Sequence, residues 1–118
     1  MHYGETVIWK KAMRLAEQVC RVAEHLPRQE RFGMRLQITR AAISIPSNIA
    51  EGWTRESRRE CRQFLAIAHG SLAELNTQLI LCIRLGWLPH AALADALQLS
   101  EEVSRMLTVL RRNSRSAA

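Results

Sequence analysis

Fifteen of the seventeen Lys and Arg residues are Arg, and their spacing is the first chemistry the sequence offers. Arg55, Arg58, Arg59 and Arg62 recur at i, i+3, i+4 and i+7, so a helix would carry all four on one face. Arg28, Arg31 and Arg35 form a second group. Guanidinium groups offer planar, bidentate donors to phosphate or carboxylate, so a nucleic-acid backbone is the partner such faces suit. Both groups fall where a helix is expected to begin. Cations there oppose the macrodipole at a cost of up to about 1 kcal/mol each. Two groups placed against that preference imply a use, such as phosphate contact. The competing reading is a merely solvated face, with Glu51, Glu56 and Glu60 neutralising the Arg55–Arg62 group locally.

Other chemistries find little support. His2, His25, His69 and His90 show no HxxH spacing, and Cys20, Cys61 and Cys82 show no CxxC, so no metal site is expected. Cys61 and Cys82 lie about 30 Å apart along a helix and cannot share an ion within one chain. All three cysteines read as free core thiols, which suits a reducing cytoplasm. Asp95 is the only aspartate, no GxSxG turn occurs, and no GxGxxG or GxxxxGK loop is present. The expectation is a non-enzymatic protein without a cofactor.

The elements that must position these arginines are helices. The chain has 118 residues, one ordinary domain, with 47% apolar and 24% charged residues and a net charge of +6. Five Gly and three Pro leave too few turn residues for a many-stranded fold. Met1 to Lys11 has no continuous apolar run of the signal-peptide kind, and no apolar stretch reaches the ~20 residues that span a bilayer.

Apolar spacing predicts four helices, at about 6–26, 30–53, 56–86 and 90–112. Ile8, Ala12, Leu15, Val19, Ala23 and Leu26 step along one face of the first, beside a second stripe of Trp9, Met13, Ala16 and Cys20. Met34, Ile38, Ala41 or Ala42, Ile45 and Ile49 point inward on the second. Pro46 falls inside that helix and predicts a kink, the alternative being two short helices. Cys61, Leu65, Ala68, Leu72, Leu75, Leu79 and Cys82 keep strict a/d spacing on the third, with Gly86 as its cap and Pro89 beyond. Leu93, Leu97, Val103, Met106, Leu107 and Leu110 line the fourth, and 113–118 reads as a frayed tail.

Short connections predict an antiparallel, up-down-up-down four-helix bundle in a single domain. A hairpin turning about residues 54 and 55 would set Glu74 against Arg35, Gln78 against Arg31 and Arg40 near His69. The apolar arcs on the first and third helices exceed what one small bundle can bury, so a homo-oligomer is expected.

One run is distinctive. Ile45-Pro46-Ser47-Asn48-Ile49-Ala50-Glu51-Gly52 follows Phe32-Gly33-Met34 and Arg40-Ala41-Ala42, and Phe64-Leu65, Ile67-Ala68, Gly70-Ser71-Leu72, Glu74-Leu75 and Gln78-Leu79 come after it. Over about residues 5–112 this resembles the four-helix-bundle family of 23S rRNA-intervening sequence proteins, to which the accessory variability determinant of diversity-generating retroelements is related. The resemblance implies a ring-like homopentamer with a basic central region, associated with nucleic acid or with a reverse transcriptase. Asn76 departs from the family, standing where Glu is commoner.

The sequence therefore predicts a cytoplasmic, homo-oligomeric bundle that holds RNA or DNA backbones through Arg28, Arg31, Arg35, Arg55, Arg58, Arg59 and Arg62, with affinity from counterion release. The alternative is a structural adaptor that grips a partner protein and has no affinity for nucleic acid. For Pro46, Ser47, Asn48, Glu51 and Gly52 two roles stand. They either line a ligand surface, or shape a helix whose polar groups satisfy one another.

Overall fold

Thr6 starts the first helix: its Oγ1 accepts the Trp9 N–H at 3.3 Å, after a 3-10 turn at Tyr3–Glu5. The structure is a computed structural model and describes residues 1–116. Helix α1 spans Val7–Ala23, α2 Met34–Trp53, α3 Arg58–Arg84 and α4 His90–Ser116. Among the described residues there is no strand. No helix of these residues is long and apolar enough to cross a membrane.

The ends of the helices differ from expectation for identifiable reasons. Helix α1 stops at Ala23, three residues early, yet Leu26 still reaches the core. Helix α2 begins at Met34 rather than at 30. Arg28–Glu30 forms a 3-10 turn instead, and Glu30 Oε1 accepts the Met34 N–H at 3.2 Å, capping α2 from outside. Ser57 caps α3 by accepting the Glu60 N–H at 3.0 Å. Gly86, at φ 73°, ends α3 in a Schellman motif: its N–H bonds Ile83 O at 3.0 Å and the Trp87 N–H bonds Cys82 O at 2.9 Å. Only glycine takes that left-handed φ without penalty. Helix α4 runs on to Ser116, past the expected end at 112, and residues 117 and 118 of the anticipated tail lie outside the described residues.

Each helix packs on two others in the cyclic order α1, α2, α3, α4, within a body of 46 × 24 × 21 Å. The six residues of the α1 stripe are all buried, and so is the α3 stripe apart from half-buried Cys61. Met34, Leu97, Met106 and Leu110 sit at the core's edge rather than inside it. Ala96, Leu99 and the polar Ser100 are buried on α4 where the apolar pattern named no residue. Ser100 Oγ donates to Asn76 Oδ1 at 2.6 Å, so the departure at Asn76 accommodates a buried hydroxyl.

The α2–α3 register also differs. Ser44 Oγ lies 2.8 Å from Ser71 Oγ, so partners sum to 115 rather than about 109. The slip is close to one turn per helix. It arises because Thr54 to Ser57 form the connection and α3 begins only at Arg58. Glu74 consequently accepts from Gln78 on its own helix, and His69 bonds residues of α4 rather than approaching Arg40. Gly52 lies in the last turn of α2. It is buried inside α2, where a Cβ would lie 3.2 Å from Phe64 Cβ and 3.3 Å from Cys61 O.

Of the three free thiols only Cys82 is in the core, and burial and the negative charge of Glu30 push its pKa up. Cys20, expected in the core, is half-buried and lines a groove between α1 and α2.

Candidate nucleic-acid interface

The seven arginines singled out by spacing do not form one surface. Arg28 and Arg31 are exposed in the turn before α2, and Arg35 is half-buried in its first turn. The group Arg55 to Arg62 sits past the far end of α2, about 30 Å away along a helix of 20 residues. No single phosphate touches both groups.

The second group divides further. Arg55 pairs with Glu51 four residues earlier, and its guanidinium carbon stacks 4.7 Å from the centre of the Phe64 ring. Both contacts fix it against the α2–α3 corner. Arg58 is exposed at the α3 N-terminus and engaged in contacts of its own. Arg59 and Arg62 point the other way, toward α4.

There they enter a groove of about 560 Å³ between α3 and α4, lined by Arg59, Arg62, Gln63, Ala66, His69, Thr108 and Arg111. On α3 the positions 59, 62, 66 and 69 follow steps of three and four, so one helical face supplies them. On α4, Ser104, Thr108 and Arg111 do the same. No carboxylate lines the groove, and no ion pair to Arg59 or Arg62 exists among the described residues. Three guanidinium groups thus face one cleft without a counter-charge, the electrostatic form that attracts a polyanion.

The floor is ordered by two hydrogen bonds. Arg111 Nη1 donates to His69 Nδ1 at 2.9 Å, and His69 Nε2 lies 3.1 Å from Ser104 Oγ. Burial and the Arg111 charge hold the His69 pKa below its ordinary 6.5. Neither His69 nor Arg111 was among the arginine-spacing candidates. Arg111 is 49 residues from Arg62 in sequence, and only the α3–α4 pairing joins them.

The IPSNIAEG run lies elsewhere. Asn48 Nδ2 donates to Ser44 O at 2.7 Å and to Ser44 Oγ at 2.9 Å, and Ser44 bonds Ser71 across to α3. Glu51 takes Arg55, and Gly52 allows the close helix approach described above. Pro46 is buried inside an uninterrupted α2, and with exposed Ser47 it borders a groove of about 460 Å³ shared with Trp9, Met13 and Ile43. The polar groups of this run are therefore spent largely within the chain. Among the described residues, no three His, Cys, Asp or Glu side chains gather as a metal site.

A family model described as 23S rRNA-intervening sequence protein matches residues 4–109. Among solved structures, a protein of unknown function from the S23 ribosomal protein family of Bacteroides thetaiotaomicron is 26% identical. That likeness covers 89% of this chain and 98% of that one, with a TM-score of 0.83. No match was found among curated proteins.

Proposed function

The chain belongs to the family of 23S rRNA-intervening sequence proteins, and from that premise we propose that it is a non-enzymatic, cytoplasmic protein that holds the phosphate backbone of RNA or DNA. The observation that carries this reading is the acid-free groove of Arg59, Arg62 and Arg111. Its three guanidinium groups offer charge-assisted donors to phosphate oxygens, a backbone contact that carries no sequence information. Arg28, Arg31 and Arg35 form a second, distant contact, while Arg55 serves the fold.

We also propose that copies assemble, five by the family resemblance, so that one strand meets the groove repeatedly and gains avidity. Exposed apolar side chains on α2 and α3, including Ile43, Ile67 and Ile80, supply surface for that contact. A sedimentation mass of one 13.5 kDa chain would refute assembly. The same apolar surface also favours a second reading, an adaptor for a partner protein.

Fluorescence anisotropy with random-sequence RNA and matching DNA separates the two. Three contacts to a single strand give a slope of about −2 in log affinity against log salt, or roughly 20-fold between ~50 and ~200 mM, multiplied when several subunits engage. The triple variant Arg59→Ala, Arg62→Ala, Arg111→Ala should lose most of both affinity and slope. No binding at ~50 mM salt would overturn the reading and leave the adaptor.

A further inference from the structure

His69 sits where the groove meets its floor, and its hydrogen bonds fix which nitrogen holds the proton. A guanidinium can only donate, so Nδ1, 2.9 Å from Arg111 Nη1, must be the acceptor. The neutral ring then carries its one proton on Nε2, directed at Ser104 Oγ 3.1 Å away. A second proton can go only to Nδ1. There it ends the Arg111 hydrogen bond and sets two cations face to face.

We propose that His69 is a proton-operated latch: neutral, it holds the Arg111 guanidinium against α3, and protonated, it releases Arg111 and becomes a fourth cation of the groove, so that phosphodiester anions bind more tightly as pH falls. The proposal rests on the backbone-binding reading and adds a regulator to that same groove.

The charged side chains that line the groove with the ring are all cationic. Arg59 and Arg62 lie along its own helix, and Arg111 faces it from α4. The acids of α4 nearest in sequence to Ser104 are engaged elsewhere, Glu101 with Arg105 and Glu102 with Lys11. Helix α2, packed on another face of α3, meets it through Ser44 and Ser71, and its Arg40 is exposed. With no carboxylate in the groove among the described residues, protonating His69 in the empty state is opposed by burial and, after it, by the Arg111 charge. A bound phosphodiester offsets the Arg111 charge, because a nearby anion favours the charged imidazole. Linkage then requires the proton to favour the anion by the same factor. An anion within about 4–6 Å moves a pKa by one unit or more, so the expected gain is about tenfold.

The test is anisotropy with a labelled oligothymidylate that lacks terminal phosphates, since neither its diesters nor its bases titrate between pH 5.5 and 8. Wild-type protein should bind about three- to tenfold more tightly at pH 5.5 than at pH 8, at fixed salt, the full factor requiring complete protonation of His69. His69→Gln keeps an acceptor for Arg111 and a donor for Ser104 but cannot titrate, so its affinity should change less than about twofold. In parallel, the His69 ring resonance of the wild type should titrate at higher pH with the oligonucleotide present than without it. This second readout decides the matter even where the variant fails to fold. Equal pH dependence in both proteins would assign the effect to groups other than His69 and overturn the latch. So would flat profiles in both, or an unmoved His69 titration. Binding that is tight but independent of pH defeats the latch alone, whereas absence of binding at every pH defeats the backbone reading with it.

Discussion

Replacing Gly52 by Ala tests the close approach of α2 to α3, because two effects of similar size oppose each other there. An interior helical glycine normally gains about 1 kcal/mol on conversion to alanine, through reduced backbone entropy in the unfolded chain. At Gly52 the new methyl would meet Phe64 Cβ at 3.2 Å and Cys61 O at 3.3 Å. Both are tighter than the 3.5–4.0 Å of comfortable contact. Neither neighbour is the free end of a flexible side chain, so α2 and α3 must separate by a few tenths of an ångström. Overpacking of this kind costs about 1–3 kcal/mol. The net expectation for Gly52→Ala is a loss of about 1 kcal/mol, a shift of roughly 4 °C in Tm for a chain of this size. Gly70 provides the internal reference: it lies in α3, is exposed, and a Cβ there meets nothing within 4 Å. Gly70→Ala should therefore stabilise by about 0.5–1 kcal/mol. Urea denaturation at one protein concentration, with unchanged m, gives both numbers. If Gly52→Ala stabilises as much as Gly70→Ala, close packing at the α2–α3 corner is not what requires the glycine.

Further outcomes follow from single contacts. Ser57→Ala removes the acceptor for the Glu60 N–H and should cost about 1 kcal/mol in urea midpoint stability, whereas Ser57→Asp should restore it. Because the His69 pKa is lowered in the fold, the unfolded chain takes up its proton first as pH falls through 6.5. Stability contributed by neutral His69 is therefore complete above that value and declines below it. The Tm of wild type should fall more than that of His69→Gln between pH 7 and 5. Glu102, whose pKa is lowered chiefly by its hydrogen bond from Lys11, contributes fully above its ordinary 4.5, so Lys11→Met should matter near neutrality and progressively less as pH falls below that value. That pair is partly exposed at 28% for each side chain, so solvent screens it and its effect is small.

Helical periodicity identified the buried residues wherever one apolar stripe fed one core. Leu65 to Cys82 on α3 and Ile8 to Ala23 on α1 are buried as spaced, and Gly86 caps α3 as its position before Pro89 suggested. Polar residues that substitute for apolar ones escape such a pattern. Ser100 is wholly buried because Asn76 supplies its partner, and neither residue signals this alone. Register escaped for a related reason. The Ser57 cap delays the start of α3 to Arg58, which moves every α2–α3 polar pair expected of a hairpin turning at 54–55. The groove was half visible. Arg59 and Arg62 share a face by spacing, but adding His69 and Arg111 requires the α3–α4 pairing set by the turn at Gly86. The steps of three and four that link Ser104, Thr108 and Arg111 were the available signal.

The placement of two cysteines has a practical consequence. Thiol reagents attack the thiolate, and Cys82 has no exposed surface and a pKa raised by burial and by Glu30. A reagent reaches it only after the helices part, so its rate of modification counts openings of the bundle near the Gly86 end. Cys61 lies at the opposite end of α3, beside Gly52 and about 30 Å away, and is half-exposed. Helix α3 thus carries a chemical clock at each end, one running in the closed molecule and one started by its unfolding.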